Sequence, residues 1–469
     1  MNTLGVIGLG YVGLPLSVQA AQKKYRVSGY DKDTELISLI NHRVSPFAGD
    51  QRFSTALKSV SKEYLVVSDN PEVVRYVDVL VIAVPTPTIG NKPDLRYVVE
   101  AANIAASVIK KGQLIILEST VNPGVTRNIF LPMLERKSGF IVGKDFYLVH
   151  CPERVDPGNK TYYVGNLNRV VGGITKNCTK KAQMFYESII DAKVIPLNSA
   201  EEAEFVKSWE NSHRNVMIAL ANNAAIICDA VGMDIDSVLR GLQSKVDQFG
   251  LNLAKPGIGP GGHCIPEDIH YIIQRARQED IDTGFLLAAA ELNDKMPRYA
   301  VNNFMSVIRQ NSDDPAKLRF SLLGIAYKPD ISDQRRSPSI EVGYELVRQG
   351  KSLKVYDPYV KEITIKGSTV SSNIEDALKD VDAIFIGTAH KTFIECLTID
   401  SLKKNSIKYV FDGRNCLDKK MFENTGIVYV GIGRSTLNSR INSAQEINDN
   451  KINNKIVYQE YETLIQTSN

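Results

Sequence analysis

The stretch that most constrains this chain lies at its N-terminus. An apolar run, Leu4 to Ile7, leads into Gly8-Leu9-Gly10-Tyr11-Val12-Gly13. A helical run from Leu14 to Gln22 follows, then a second apolar run, Tyr25 to Tyr30, which ends at Asp31. Strand, glycine turn, helix, strand and acid in this order open a doubly wound parallel sheet whose first turn cradles a dinucleotide. Each glycine has its own task there. Gly8 allows the tight turn, Gly10 lets the backbone approach a pyrophosphate at the helix N-terminus, and Gly13 lets the helix pack closely. Tyr11 and Val12 lie within the turn and are counted with the cofactor site. Asp31 stands where a ribose hydroxyl arrives and would repel a phosphate on that ribose, so NAD is expected rather than NADP.

The same pattern continues with strands expected at Tyr64 to Val67, Val79 to Val84, Gln113 to Glu118, Phe146 to Val149 and Arg169 to Val171, and a helix from Leu95 to Ile109. Short runs of this kind are buried on both faces, as in a parallel sheet, and ligands bind beyond the carboxyl ends of such strands. That rule selects Pro85-Thr86-Pro87, Ser119-Thr120 and Glu153-Arg154. Thr120 offers a hydroxyl to a cofactor or a water, and Glu153 could hold or deprotonate water. A surface turn and a surface ion pair are the ordinary alternatives for these two segments.

From Ala200 to Val231 the pattern changes to a long helix, with Phe205, Val206, Trp209, Val216, Leu220, Ile226 and Ile227 among its apolar positions. Lys207 and Asn211 share a face at a spacing of four, as do Asn211 and Asn215. They form either a solvated stripe or a donor pair for an oxyanion. Gly284 to Ile308 is a further helical region in which Met296-Pro297 marks a bend or a helix start. A second α/β unit begins near Lys317, with strands expected at Leu318 to Leu323, Leu353 to Tyr356, Ala383 to Ile386, Ile407 to Phe411 and Ile427 to Val430. Its helices are expected at Pro338 to Gln349, Ile374 to Leu378 and Ile399 to Lys404. It lacks the glycine fingerprint after its first strand. Lys328, Arg335, Arg336 and later Arg414 fall near strand ends instead, as suits a pyrophosphate outside a dinucleotide cofactor.

Between the two units lies Lys255-Pro256-Gly257-Ile258-Gly259-Pro260-Gly261-Gly262-His263-Cys264-Ile265-Pro266-Glu267-Asp268. Residues 257–262 read as a tight loop and Pro266 as the first position of the next helix. Cys264 then stands near a helix N-terminus, where the partial positive charge favours a thiolate. Asp268 shares a face with it if the helix starts by residue 265. A nucleophile and an incidental cysteine in a turn both fit these residues taken alone.

The expected architecture is therefore α/β, with two Rossmann-like parallel-sheet domains joined by a long central helix and helical region. The divisions fall at 1–199, 200–312 and 313–437, followed by a polar tail at 438–469. A chain of 469 residues with 43% apolar and 23% charged residues and a net charge of +3 gives no strong pull towards nucleic acid or a membrane. Six cysteines without CxxC spacing fit a reducing compartment and indicate no metal site. No apolar run reaches membrane-spanning length and no signal-peptide pattern precedes the glycine turn, so a cytoplasmic protein is expected.

Taken together these motifs resemble the UDP-glucose/GDP-mannose dehydrogenase family from about residue 1 to residue 435. The resemblance implies an NAD domain, a central helical dimerisation region and a C-terminal nucleotide-sugar domain, in a homodimer that serves polysaccharide biosynthesis. It implies oxidation of a sugar C6 alcohol to a carboxylate in two NAD-dependent steps, through a cysteine thiohemiacetal and thioester. By the resemblance, Cys264 is the nucleophile, with Asp268, Lys207, Asn211, Glu153 and Thr120 as the other catalytic residues. Gly8, Gly10, Tyr11, Val12, Gly13, Asp31, Pro85, Thr86 and Thr120 would hold the cofactor. Glu153, Arg154, Lys207, Asn211, Arg214, Gly261, Lys328, Arg335 and Arg414 would hold the UDP-sugar.

The run Cys151-Pro152-Glu153-Arg154-Val155-Asp156-Pro157-Gly158-Asn159 and His263 beside Cys264 are similar to UDP-N-acetylglucosamine 6-dehydrogenases, which makes UDP-N-acetylglucosamine the expected substrate. The alternatives are UDP-N-acetylmannosamine, UDP-N-acetylgalactosamine and UDP-glucose, and more remotely a non-catalytic nucleotide-sugar-binding protein. The chain departs from the family pattern at Glu267, Ile269 and Arg336, where a small apolar residue, a proline and a glutamate are common.

Overall fold

Alternation along the strands decides how the sheets are covered. Val79 and Val81 join one apolar cluster while Leu80 and Ile82 join another, and Leu114, Ile116 and Ile115, Leu117 divide in the same way. Each strand therefore needs helices on both faces, and each such side chain contributes about 1.5–3 kcal/mol when it leaves water. The computed structural model describes residues 3–47, 50–89, 92–155, 161–249, 253–262, 264–363 and 365–434. His263, residues 156–160 and the expected polar tail at 438–469 lie outside the described residues. The chain divides into two units, Met1–His213 with Glu267–Leu286, and Arg214–Pro266 with Leu287–Asn469.

The first unit opens with β1 (Thr3–Ile7), α1 (Gly13–Gln22), β2 (Arg26–Tyr30), α2 (Thr34–Asn41), α3 (Gln51–Ser59), β3 (Leu65–Ser68) and β4 (Val79–Ile82). A small hairpin of β5 (Thr88–Ile89) and β6 (Lys92–Pro93) leads to α4 (Arg96–Val108), β7 (Leu114–Leu117), α5 (Leu131–Ser138), β8 (Tyr147–His150), β9 (Arg169–Gly173), α6 (Lys176–Ile189) and β10 (Val194–Pro196). Its eight-stranded sheet has the order β10-β9-β8-β7-β4-β1-β2-β3. All neighbours run parallel except β8 and β9. The order reverses at β1, so the loops after β1 and β4 flank the crevice in which such sheets bind ligands.

Four helices follow, α7 (Ala200–Val231), α8 (Ile235–Phe249), α9 (Cys264–Arg277) and α10 (Gly284–Asn311). The second α/β region comprises β11 (Arg319–Leu323), α11 (Pro338–Arg348), β12 (Ser352–Tyr356), β13 (Ser368–Val370), α12 (Ile374–Leu378), β14 (Ala383–Ile386), α13 (Lys391–Cys396), α14 (Ile399–Lys404), β15 (Tyr409–Asp412) and β16 (Val428–Gly431). Its six strands are all parallel in the order β13-β12-β11-β14-β15-β16. The expected fold class, two parallel-sheet lobes with a helical region between them in sequence, is the observed one.

Three local expectations change. Helix α9 starts at Cys264 itself, not at Pro266, so the proline occupies a later position of the first turn, where its missing N–H costs nothing. Pro297 lies inside the continuous helix α10 and marks no start. Because proline has no N–H, the Asn293 carbonyl loses its intrahelical donor, and this oxygen sits where a side chain on Gly259 would come within 2.7 Å of it. On α7 the expected apolar face is reversed at its N-terminal half: Phe205 and Trp209 are exposed and stack on each other, while Glu204, Ser208, Asn211 and Asn215 are buried.

Candidate active site

In the first unit the glycine turn is set by contacts that only glycine permits. Gly8 has φ +92°, and a Cβ there would lie 2.5 Å from the Ala83 carbonyl. At Gly13 a Cβ would lie 1.9 Å from the Gly8 carbonyl. Gly10 differs, since a Cβ there would meet no protein atom within 4 Å. The fold does not require that glycine, whereas close approach of a pyrophosphate does. No side chain caps the N-terminus of α1, where the Leu14 N–H turns back onto the Gly10 carbonyl (3.2 Å), so the positive end of the helix dipole faces the turn and favours an anion there. Asp31 accepts from the Leu9 N–H (2.7 Å) through Oδ2 and from the Asp33 N–H (3.1 Å) through Oδ1. A carboxylate has about four acceptor positions, so Asp31 can fix the turn and still receive ribose hydroxyls. Tyr11 is exposed at the turn and stacks on Phe47. These residues fit NAD.

The neighbouring strand ends are tied to one another. The Ser119 hydroxyl donates to the Val84 carbonyl (2.8 Å) and accepts from the Val84 N–H (2.9 Å), beside half-buried Thr120. The Tyr271 hydroxyl of α9 donates to the Thr86 carbonyl (2.9 Å), which holds the Pro85-Thr86-Pro87 turn. Glu204 of α7 accepts from Gly124 N–H, Thr126 N–H and the Thr126 hydroxyl, and burial pushes its pKa up to about 7.

Glu153 is less free than its place after β8 suggests. Oε1 accepts from the N–H groups of Arg154 (2.7 Å) and Val155 (2.5 Å), and Oε2 from Arg169 (3.0 Å). Buried Arg169 also donates to Glu118 (2.8 Å), which accepts from the Tyr186 hydroxyl as well. Burial pushes Glu118 up to about 7 against the pull of Arg169. This arrangement favours Glu153 as an anchor for a water over a mobile base. Arg154 is committed within the protein, forked onto Glu210 and donating to the Asn168 carbonyl (3.2 Å).

Lys207, Asn211 and Asp268 are brought together. The Asn211 amide donates to Asp268 Oδ2 (2.6 Å). Burial pushes the Asp268 carboxyl up to about 6, opposed by the nearby Lys207 charge and the Asn211 hydrogen bond and reinforced by Glu267. A carboxylate with a pKa near 6 is ionised at neutral pH and is a stronger base than an ordinary aspartate.

In the second unit the cysteine loop is pinned from several sides. Gly262 N–H donates to the Arg335 carbonyl (3.1 Å) and Ile258 N–H to the Gly413 carbonyl (3.2 Å). A Cβ on Gly261 would lie 2.6 Å from Tyr327 Cβ. Half-buried Cys264 opens α9. In the first unit, by contrast, burial pushes the Cys151 thiol up to about 12 and leaves it inert.

Arg414 donates to the Gly387 carbonyl (3.0 Å) and the Gly259 carbonyl (3.1 Å), while its buried Nη2 has no partner among the described residues. Burial lowers its pKa to about 10, and an incoming anion would satisfy the orphaned donor. The Arg335 guanidinium is forked onto Asp333 at 3.0 and 2.6 Å, so its charge is already partnered. Lys328 is half-buried and Arg214 exposed. The sequence did not reveal the Glu118–Arg169–Glu153 chain, Glu204 or the internal pairing of Arg335. Only the seven-residue polar spacing along α7 hinted at a buried polar face.

The chain matches the UDP-glucose/GDP-mannose dehydrogenase family in three successive parts: its NAD binding domain over residues 2–190, its central domain over 201–295 and its UDP binding domain over 321–419. It is 33% identical over 434 residues to a UDP-N-acetyl-D-mannosamine dehydrogenase of Pyrococcus horikoshii, covering 92% of this chain and 99% of that protein. A protein of the same description from Methanococcus vannielii is 32% identical over 435 residues, 90% of this chain and 94% of the relative. The structure of the UDP-D-ManNAc dehydrogenase from Pyrococcus horikoshii superposes with a TM-score of 0.84 at 32% identity, covering 92% of this chain and 99% of that one. These relatives overturn the expected likeness to UDP-N-acetylglucosamine 6-dehydrogenases, and with it that substrate. The expectation rested on residues 151–159 and His263, a short part of the chain that lies partly outside the described residues.

Proposed function

From the premise that this chain belongs to the UDP-glucose/GDP-mannose dehydrogenase family, and is therefore an NAD-dependent nucleotide-sugar dehydrogenase, we propose that it oxidises C6 of UDP-N-acetylmannosamine to the carboxylate. The observation that carries the substrate is the near full-length similarity to enzymes of that description. NAD, held at Gly8, Gly10, Gly13 and Asp31, supplies the hydride acceptor for both oxidations.

The protein's own groups do the rest. Asp268 takes the C6 hydroxyl proton as the alcohol is oxidised, assisted by the Lys207 charge. The Cys264 thiolate then adds to the aldehyde carbon, and the resulting oxyanion is stabilised by Lys207 and Asn211 and protonated to the thiohemiacetal. The second oxidation leaves a thioester. Water held by Glu153 and Thr120 attacks it, the C–S bond breaks, and the thiol and the acid are released. Arg414, with its orphaned donor, receives the pyrophosphate together with Lys328. The fork to Asp333 limits Arg335 to a weaker part.

The same reading assigns residues 1–199 to the cofactor, 200–312 to dimerisation and the thiol, and 313–437 to the nucleotide sugar. It makes the protein a cytoplasmic homodimer. Exposed Trp209, Leu220 and Ile227 along α7 support an interface, and light scattering on the purified protein tests it. No helix among the described residues is long and apolar enough to cross a membrane.

The deciding assay compares initial rates for UDP-N-acetylmannosamine, UDP-N-acetylgalactosamine and UDP-glucose while NADH and acid are measured together. A clear preference for the manno epimer, with two NADH per acid, is expected. Preference for another sugar overturns the substrate alone, and one NADH per released product overturns the covalent route.

A further inference from the structure

The second unit contains three buried asparagines that no step above uses. Asn215 and Asn222 lie seven residues apart on α7, so they share a face, and Asn293 lies on α10. All three are almost fully buried. Their amides join head to tail. Gly257 N–H donates to Asn222 Oδ1 (2.9 Å), and Asn222 Nδ2 donates to Asn293 Oδ1 (2.9 Å). Asn293 Nδ2 donates to Asn215 Oδ1 (3.0 Å), and Asn215 Nδ2 donates to the Ile265 carbonyl (3.1 Å). The two ends are backbone groups of fixed character, a donor at Gly257 and an acceptor at Ile265, so every amide between them can point only one way. The line begins in the glycine loop before Cys264 and ends on the first turn of α9, which Cys264 opens.

We propose that Asn215, Asn222 and Asn293 are positioning residues for Cys264, forming an amide relay that clamps the chain on both sides of the thiol, at Gly257 in the loop and at Ile265 in the first turn of α9. Three features support a dedicated device over ordinary packing. Each amide uses both its donor and its acceptor, so a carboxylate or an apolar residue at any one position interrupts the line. The backbone of Asn293 reinforces the side chain, because its carbonyl, released by Pro297, approaches Gly259 so closely that a Cβ there would lie 2.7 Å away. The relay also holds the chain on either side of half-buried Cys264 and makes no hydrogen bond to the thiol among those described. Small displacements of a reacting group cost large factors in rate, which gives a clamp of this kind its value.

The inference rests on Cys264 as the nucleophile. Loosening the loop should spare the first oxidation, which needs no thiol, and impair capture of the aldehyde. Asn222→Ala and Asn293→Ala are therefore expected to lower acid formation about 10- to 100-fold. A hydroxylamine-trappable aldehyde should appear, NADH per acid should rise above two, and the KM for NAD should stay unchanged. The rate of Cys264 alkylation by iodoacetamide, followed on its peptide by mass spectrometry, should change in both variants.

Asn303→Ala is the control. It removes the amide hydrogen bond to the Asp229 carboxylate (3.2 Å), which is no part of the relay, and should lower thermal stability without releasing aldehyde. Should the central variants fail to fold, Asn215→Ala removes the last amide with its links to Asn293 and to the Ile265 carbonyl, while Asn293 keeps the Asn215 backbone carbonyl (2.9 Å) as an acceptor, and faster hydrogen exchange of the peptide 253–266 is expected there. Unchanged alkylation, exchange and stoichiometry in the variants overturn the relay. Normal acid production by Cys264→Ala overturns the covalent reading instead.

Discussion

The two sheets of this protein repeat one construction and use it differently. β1 ends at Ile7 opposite Tyr30, and β11 ends at Leu323 opposite Tyr356. The next residue is a glycine in both, with φ +92° at Gly8 and +86° at Gly324, and each donates its N–H to the paired tyrosine carbonyl. An aspartate follows each tyrosine and accepts N–H groups of the loop after the glycine, Leu9 for Asp31 and Ile325 and Ala326 for Asp357. There the likeness stops. Helix α1 starts at Gly13 and α11 only at Pro338, so the first loop is a tight cradle and the second a long arm bearing Lys328 and Arg335. Asp31 is half-buried and can receive a ligand, whereas Asp357 is sealed beneath His390 Nε2 at 3.0 Å. An identical backbone turn is thus a cofactor site or a structural joint according to loop length and one histidine.

The sharpest division of labour puts the thiol with the second unit and the dinucleotide with the first. Cys264→Ala is expected to lower acid formation by about 10³-fold or more, since loss of a covalent nucleophile costs a serine protease about 10⁶-fold, and to leave NAD affinity within about twofold. Product analysis with NAD titration checks both. Loss of NAD binding would show that the two functions are not divided in this way.

The glycines give the next test. Gly8→Ala and Gly324→Ala both place a side chain at positive φ against a neighbouring strand end, near Ala83 in one case and Thr388 in the other. Each should cost about 1–3 kcal/mol of stability. Only Gly8→Ala should weaken NAD, by about 10- to 100-fold in KM. Equal effects of the two on NAD would remove the distinction between cradle and joint. Thermal melts and initial rates measure the pair.

How much of this was legible depends on what signals its own position. Strands buried on both faces could be read from their apolar runs: Ala383–Ile386 falls where expected, and Val79–Ile82 lies within the expected Val79 to Val84 and stops two residues earlier. Edge strands could not. Lys-free Ser368–Val370 is largely exposed and Val194–Pro196 is very short, so neither has a periodic pattern to read. On α7, Phe205 and Trp209 count among the apolar positions in the sequence, yet both are exposed, and the polar spacing Glu204, Ser208, Asn211, Asn215, Asn222 marks the buried side. Buried amides and carboxylates are stable there because partners satisfy them, and partners distant in sequence leave no local trace. For the same reason Glu153 and Arg154 were recognisable as candidates while their commitment to Arg169 and Glu210 was not.

The paired aspartates give a smaller effect. Asp31→Asn removes the charge that repels a ribose phosphate and should shift the NAD to NADP preference in kcat/KM by about tenfold. Asp357→Asn leaves the preference intact and lowers stability. Asp357 lies below the ordinary aspartate range because the His390 contact and backbone N–H groups outweigh its burial, so its stabilisation is present above its unfolded pKa and lost as pH falls through the folded one. Wild-type protein that uses NADP as well as NAD would sink the assignment of Asp31.

The smallest expected effect concerns the slope of activity with pH, which separates the first unit's base from everything in the second unit. Burial raises Asp268 to about 6, while Lys207 and the Asn211 amide favour its charged form. In the proposed mechanism Asp268 is deprotonated when it accepts the hydroxyl proton, so kcat should fall below about pH 6, tenfold per pH unit once protonation dominates. Asn211→Ala removes a hydrogen bond that favours the carboxylate, so the acid limb should move to higher pH in that variant. Arg414→Lys, which alters only a donor set in the second unit, should raise the KM for the nucleotide sugar and leave the acid limb in place. Pre-steady-state rates of the first NADH formed, taken from pH 5 to 8 for the three proteins, decide the matter. An acid limb that moves with Arg414→Lys and stays fixed with Asn211→Ala would mean that the titrating base belongs to the second unit.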